Sequence, residues 1–241
     1  MSSFGPQDSA TLRRIPAAQA PETDRATFVA KVYQHIAAAL AVFVALEAVL
    51  FITGIADALG DFFLGGGQGR WLLMLGGFMV ANWFAANASA DLANPSRQYL
   101  GLFATSAAQA VIFAPFLSIV FRQEGGGATV AQAAIITIIG FAILTVIGLF
   151  TRKDLSFLRP IVMWGFGLAL LAIVGGAIFG FGLGTWFSVA MIGLSGVSIL
   201  YQTQSVLRRY PIGSHVAAAV ALFSSLMTMF WYVLRLLMSR E

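Results

Sequence analysis

The chain has 241 residues, 59% hydrophobic and 10% charged, with a mean hydropathy of +0.86. A soluble domain carries about 25% charge, so a water-soluble globule is excluded and an integral membrane protein is expected. The net charge of +4 comes without a basic stripe interleaved with aromatics, so no nucleic-acid partner is expected. Cysteine is absent, which removes disulfides, iron–sulfur clusters and thiolate zinc sites. With only His35 and His215, a histidine metal cage is also excluded, and no cofactor is expected.

Residues 1–27 hold three of the seven prolines, Pro6, Pro16 and Pro21, and no apolar run. They are predicted to form a disordered cytoplasmic segment, leaving 28–241 as the membrane domain. No short apolar core with a small-residue cleavage site follows Met1, so the first helix is expected to act as an uncleaved signal anchor.

A helix needs roughly 20 apolar residues to cross about 30 Å of hydrocarbon. Seven segments qualify, at about 30–54, 71–90, 99–121, 129–150, 160–181, 184–206 and 214–237. Glycine runs, Asn94-Pro95-Ser96, Thr151-Arg152-Lys153-Asp154 and Tyr210-Pro211 separate them. The separator at Phe179–Gly184 carries no charge, which leaves a re-entrant pair open there. The 160–206 run is twice the required length and favours two crossings. All of this predicts an all-α bundle of seven transmembrane helices.

Basic residues set the orientation. Arg13, Arg14, Arg25, Lys31, Arg97, Arg152, Lys153, Arg159, Arg208 and Arg209 fall on one side, and Arg70, Arg122, Arg235 and Arg240 on the other, 10 against 4 of the 14. The excess faces the cytoplasm, so an N-in, C-out topology is expected. Two small-residue ridges, Ala37/Ala41/Ala45 and Ala172/Gly176/Gly180/Gly184, are expected to pack helices closely within the bundle, with a dimer interface as the alternative.

Polar residues inside the spans are costly. Glu47 lies about fifteen residues, or roughly 22 Å, beyond Val32. It reads either as a proton- or cation-binding group facing the interior, or as a carboxyl hydrogen-bonded to a neighbouring helix or to interfacial water. Asn82, Asn87 and Gln109 are expected to bridge helices. Pro115 is expected to kink the third span. His35 and His215 are read as interface residues, with a pH-sensing role as the alternative for His35.

One enzymatic motif is present: Gly193-Leu194-Ser195-Gly196 matches the G-x-S-G of intramembrane serine proteases. However, Ser195 lies twelve residues, roughly 18 Å, before Leu207, while His215 opens the next helix. A base has to reach its nucleophile within about 3 Å, so no enzyme is expected.

Four stretches resemble the Bax inhibitor-1 family, also called the transmembrane Bax-inhibitor-motif family. Phe28-Val29-Ala30-Lys31-Val32-Tyr33 is similar to the entry of its first helix. Leu149 to Leu158 is similar to its T-[KR]-x-D-[FL]-[ST] loop. Ile199-Leu200-Tyr201-Gln202-Thr203-Gln204 resembles its L-Y-D-T-Q, and Phe230-Trp231-Tyr232-Val233-Leu234-Arg235 its seventh-helix ending. The resemblance runs from residue 28 to residue 238.

It implies a seven-helix fold with the last helix central and a cytoplasmic N-terminus, and the Gly- and Ala-rich, cysteine-free composition points to a bacterial-type member in an inner membrane. It also implies one of two activities. Some members are pH-sensitive calcium leak channels, gated by a hydrogen-bonded pair of aspartates on the sixth and seventh helices. Bacterial members are also linked to a membrane-anchored AAA protease, and animal members to suppression of cell death and stress responses. In this chain the aspartate positions fall on Gln202 and Ser225, with Thr228 in place of a usual Asn. Neither group can titrate, so the expectation is a cation leak with altered or lost pH gating, or else a non-transporting regulatory protein.

Overall fold

A computed structural model describes residues 15–65 and 67–239. Eight α-helices follow one another, and no strand occurs among the described residues. They are α1 Glu22–Ile52, α2 Ile55–Leu64, α3 Gln68–Ser89, α4 Pro95–Arg122, α5 Gly126–Phe150, α6 Leu158–Phe179, α7 Gly184–Arg208 and α8 His215–Met238. Seven of them, all but α2, are long and apolar enough to cross a bilayer. The run from 160 to 206 therefore forms two full helices, α6 and α7. Gly180 and Gly184, at φ 76° and 63°, turn the chain between them in a conformation that other residues rarely adopt.

The short helix α2 is absent from the sequence reading. Its carboxylates face α4: Asp57 accepts from Ser118 Oγ at 2.6 Å and from Arg122 at 2.7 Å, and Asp61 lies 3.6 Å from the same guanidinium. Ser118 and Arg122 together hold the Asp57 carboxyl below the usual carboxylate range. The acids and their partners are 61 and 65 residues apart in sequence for Asp57, which is why no local pattern announces the helix.

The N-terminal reading needs correction where it can be compared. Residues 1–14, with Arg13 and Arg14, lie outside the described residues, as do Arg240 and Glu241. Residues 15–27 are built into the fold rather than disordered. A 3₁₀ turn at Ala17–Gln19 docks on the α7–α8 link, where Ala17 donates to Tyr210 O at 2.9 Å and Ile212 to Ile15 O at 3.2 Å. Helix α1 starts at Glu22, immediately after Pro21, with Glu22 and Asp24 in its first turn where the helix dipole favours anions.

The last helix is central. In its most apolar stretch 72% of residues are buried, against 22% for α1 and 6% for α6. It packs on α1, α4, α5 and α7. Phe113 of α4 stacks on Phe230 and meets Trp231 edge-on, at ring separations of 5.6 and 5.4 Å. α4 also runs tightly against α3. A Cβ at Gly101 would lie 2.5 Å from Ser89 N and 2.6 Å from Ala85 O, so only glycine permits this approach.

The first small-residue ridge faces the other way from expectation. Ala37, Ala41 and Ala45 are exposed, and α1 buries Phe28, Val32, Ile36, Ala39, Phe43 and Glu47 instead. The second ridge is cut when α6 ends at Phe179. Large side chains at helical spacing carry more buried area than alanine, and they choose the inward face.

Candidate functional site

Helices α7 and α8 bring Gln202 and Ser225 together. Gln202 Nε2 donates to Ser225 Oγ and to Ser198 Oγ, both at 3.0 Å. The two serine hydroxyls share a third bond of 3.0 Å. Ser198 stands one helical turn before Gln202, so its side chain occupies the same face of α7. Sequence reasoning missed it, although the four-residue spacing was the signal that could have found it. Both serines are buried, and every group in the network is neutral.

A second polar group adjoins this one along the chain. Tyr33 of α1 lies against the hydroxyls of Thr145 on α5 and Thr203 on α7. Among the described residues none of these three oxygens forms a well-aligned hydrogen bond, and neither does Gln202 Oε1. Gly148 makes room for Thr203: a Cβ there would lie 2.9 Å from the threonine Cβ. Buried oxygens left in this state are where water or an ion gains most from entering.

Two sequence motifs that are far apart in the chain meet at the end of α7. Gln204, buried, accepts from Leu155 N at 2.6 Å and donates to Lys153 O at 2.6 Å. Arg208 donates to Arg152 O at 2.9 Å. Within the strapped loop Asp154 takes bonds from Ser156 N and Oγ, at 3.0 and 2.9 Å, which hold its carboxyl below the usual range. Gln204→Leu should lower stability by about 1–3 kcal/mol, because the loop's amide and carbonyl lose their partner. Thermal unfolding in detergent, with proteolysis at Lys153 as a local readout, checks this.

The other polar residues stand apart from the network. Glu47 is 7% exposed and lines an apolar cleft of about 590 Å³ between α1, α4, α5 and α8, with Phe43, Phe51, Phe121, Thr137 and Phe230. None of Ser198, Gln202 and Ser225 lines that cleft. Among the described residues neither carboxyl oxygen has a partner, so the hydrogen bond to a neighbouring helix that the sequence suggested is not formed there. Thr228 donates to Ser224 O at 2.8 Å and, with Gln109, lines a smaller cavity of about 170 Å³.

Asn82 and Asn87 do not bridge helices. Each donates to the carbonyl one turn back in α3, Phe78 O at 3.0 Å and Trp83 O at 2.8 Å. Inside hydrocarbon the carbonyl one turn back is an acceptor always within reach of such an amide. His35 donates through Nδ1 to Lys31 O at 2.6 Å and packs its ring 4.8 Å from that of His215, an adjacency that sequence spacing did not reveal. Ser195 Oγ is fully buried and donates to Met191 O at 2.8 Å within its own helix.

Comparison with known proteins agrees with this architecture. The chain is similar to an uncharacterised protein of Pseudomonas aeruginosa, 27% identical over 146 residues. The aligned region covers 60% of this chain and 65% of the relative, somewhat less than two thirds of its length. A family model described as "Inhibitor of apoptosis-promoting Bax1" matches residues 25–241, every helix of the bundle included, and the chain belongs to that family of membrane proteins.

Proposed function

We propose that the protein is a cation leak of the bacterial inner membrane, calcium among its ions, in which the position of the family's titratable gate is held shut or open by neutral hydrogen bonds. The observation that carries this reading is the Gln202 amide on Ser198 and Ser225. It joins the two helices where the resemblance places a pair of aspartates, and it contains no group that changes charge near neutral pH. The buried hydroxyls of Tyr33, Thr145 and Thr203 add a polar cluster beside it. The excess of basic residues at the N-terminal end supports a cytoplasmic N-terminus, and the bacterial relative supports the inner membrane.

The purified chain in liposomes with an enclosed calcium dye should give a leak that differs little between about pH 6 and 8. A steep change, about tenfold across that window, would show a titrating gate and overturn the reading. A specific feature favours a second reading. Calcium prefers several oxygen ligands, anionic ones above all, and the Gln202 network supplies only amide and hydroxyl groups. Absence of flux at every pH, with co-purification of a membrane-anchored AAA protease, would establish the regulatory role instead.

A further inference from the structure

A third cleft, of about 700 Å³, opens at the end of the bundle where α8 finishes, lined by Trp71, Phe116, Phe181, Trp231, Tyr232 and Arg235 among others. Its walls come from the α2–α3 link, the last turns of α4 and α6, the α6–α7 link and the last turns of α8. All of these are helix ends on one side, and tryptophan and tyrosine at helix ends mark the headgroup level of a bilayer.

Among the described residues Arg235 is the sole charged side chain of this lining. It pairs with no carboxylate among them. Asp57 and Asp61 of α2, the helix whose end lines the cleft through Phe63 and Leu64, are already engaged by Arg122. Trp231 and Tyr232 line the same cleft beside it. A guanidinium with no carboxylate partner among the described residues therefore lines an aromatic cleft at headgroup depth. A guanidinium matches phosphate oxygens in geometry as well as charge.

We propose that this cleft binds a single lipid with a net negative phosphate headgroup, the phosphate on Arg235 and the upper part of one acyl chain between α6 and α8. The site shares no residue with the Gln202 network and stands whether or not the protein conducts ions.

Native mass spectrometry of the full chain in detergent, with added lipid, tests it. One phosphatidylglycerol should be retained, about tenfold more readily than phosphatidylcholine, the difference expected for a charge-assisted contact. Arg235→Gln should bring phosphatidylglycerol down to the phosphatidylcholine level, and Arg235→Lys should keep most of the preference. Ala177→Phe, which narrows the acyl part of the cleft, should weaken retention with the guanidinium intact. Arg97→Gln, at the opposite end of the bundle, should change nothing.

Millimolar inorganic phosphate should leave the retained lipid in place. Displacement by phosphate would reduce the site to a bare anion contact and overturn the proposal. Equal retention of the two lipids, or unchanged retention in Arg235→Gln, would do the same. If Arg235→Gln does not fold, Ala177→Phe decides the matter, and full retention in that variant overturns the site.

Discussion

Gln202→Asp combined with Ser225→Asp should introduce a pH dependence that the neutral Gln202–Ser225 pair cannot supply. The parent amide sits 3.0 Å from the Ser225 hydroxyl, so two carboxyls at these positions would come into contact. Two such groups cannot both ionise readily, and they titrate as a pair sharing one proton. When the shared proton leaves, like charges face each other in a low-dielectric interior, where repulsion is far stronger than in water. α7 and α8 should then separate, and calcium flux from liposomes should change by tenfold or more between about pH 6 and 8. Either single replacement should give much less. A lone carboxyl at 202 meets two serine hydroxyls, and it can accept from both without repulsion. Equal pH profiles for the double variant and the parent would show that the two positions do not govern passage.

Glu47→Leu should raise stability, the reverse of what a hydrogen-bonded carboxyl would give. The residue is 7% exposed, and neither of its oxygens has a partner among the described residues. A buried polar group in that state costs about 1–3 kcal/mol, and leucine at the same place adds apolar contact with Phe43 and Phe230. Glu47→Gln should lie near the parent, since an amide is no better served in the cleft. Thermal unfolding in detergent separates these outcomes. A leucine variant markedly less stable than the parent would mean that the carboxyl holds water or a ligand, and the 590 Å³ cleft would become a binding site.

The membrane spans were legible because length and hydropathy alone decide whether a segment can sit in hydrocarbon, and each of the seven predicted segments lies on one of the seven long helices. The pairing of Gln202 with Ser225 was legible through the order and spacing of four motifs. What escaped the sequence was direction. Ala37, Ala41 and Ala45 form a pattern that describes a face without saying what it meets. The buried face was written beside it, in Phe28, Val32, Ile36, Ala39, Phe43 and Glu47, and of these the inward place of Glu47 was legible from the cost of a carboxyl in hydrocarbon. The back-bonds of Asn82 and Asn87 and the strap made by Gln204 depend on which helix is or is not a neighbour. Composition does not carry that information. α2 was missed for a related reason: its ten residues are too few to span, and what fixes it is a serine and an arginine on α4.

The central place of α8 has a consequence for synthesis. The other seven helices leave the ribosome before the one whose residues fill the middle of the bundle. Until α8 arrives, Phe113 lacks its stacking partner, and the inward faces of α1, α4, α5 and α7 have only lipid or one another to cover them. The nascent protein is thus a loose ring of inserted helices that closes in one late step. A chain interrupted before His215 would leave that ring permanently open, with its buried serines and threonines on display, which is the kind of surface that membrane quality control can recognise.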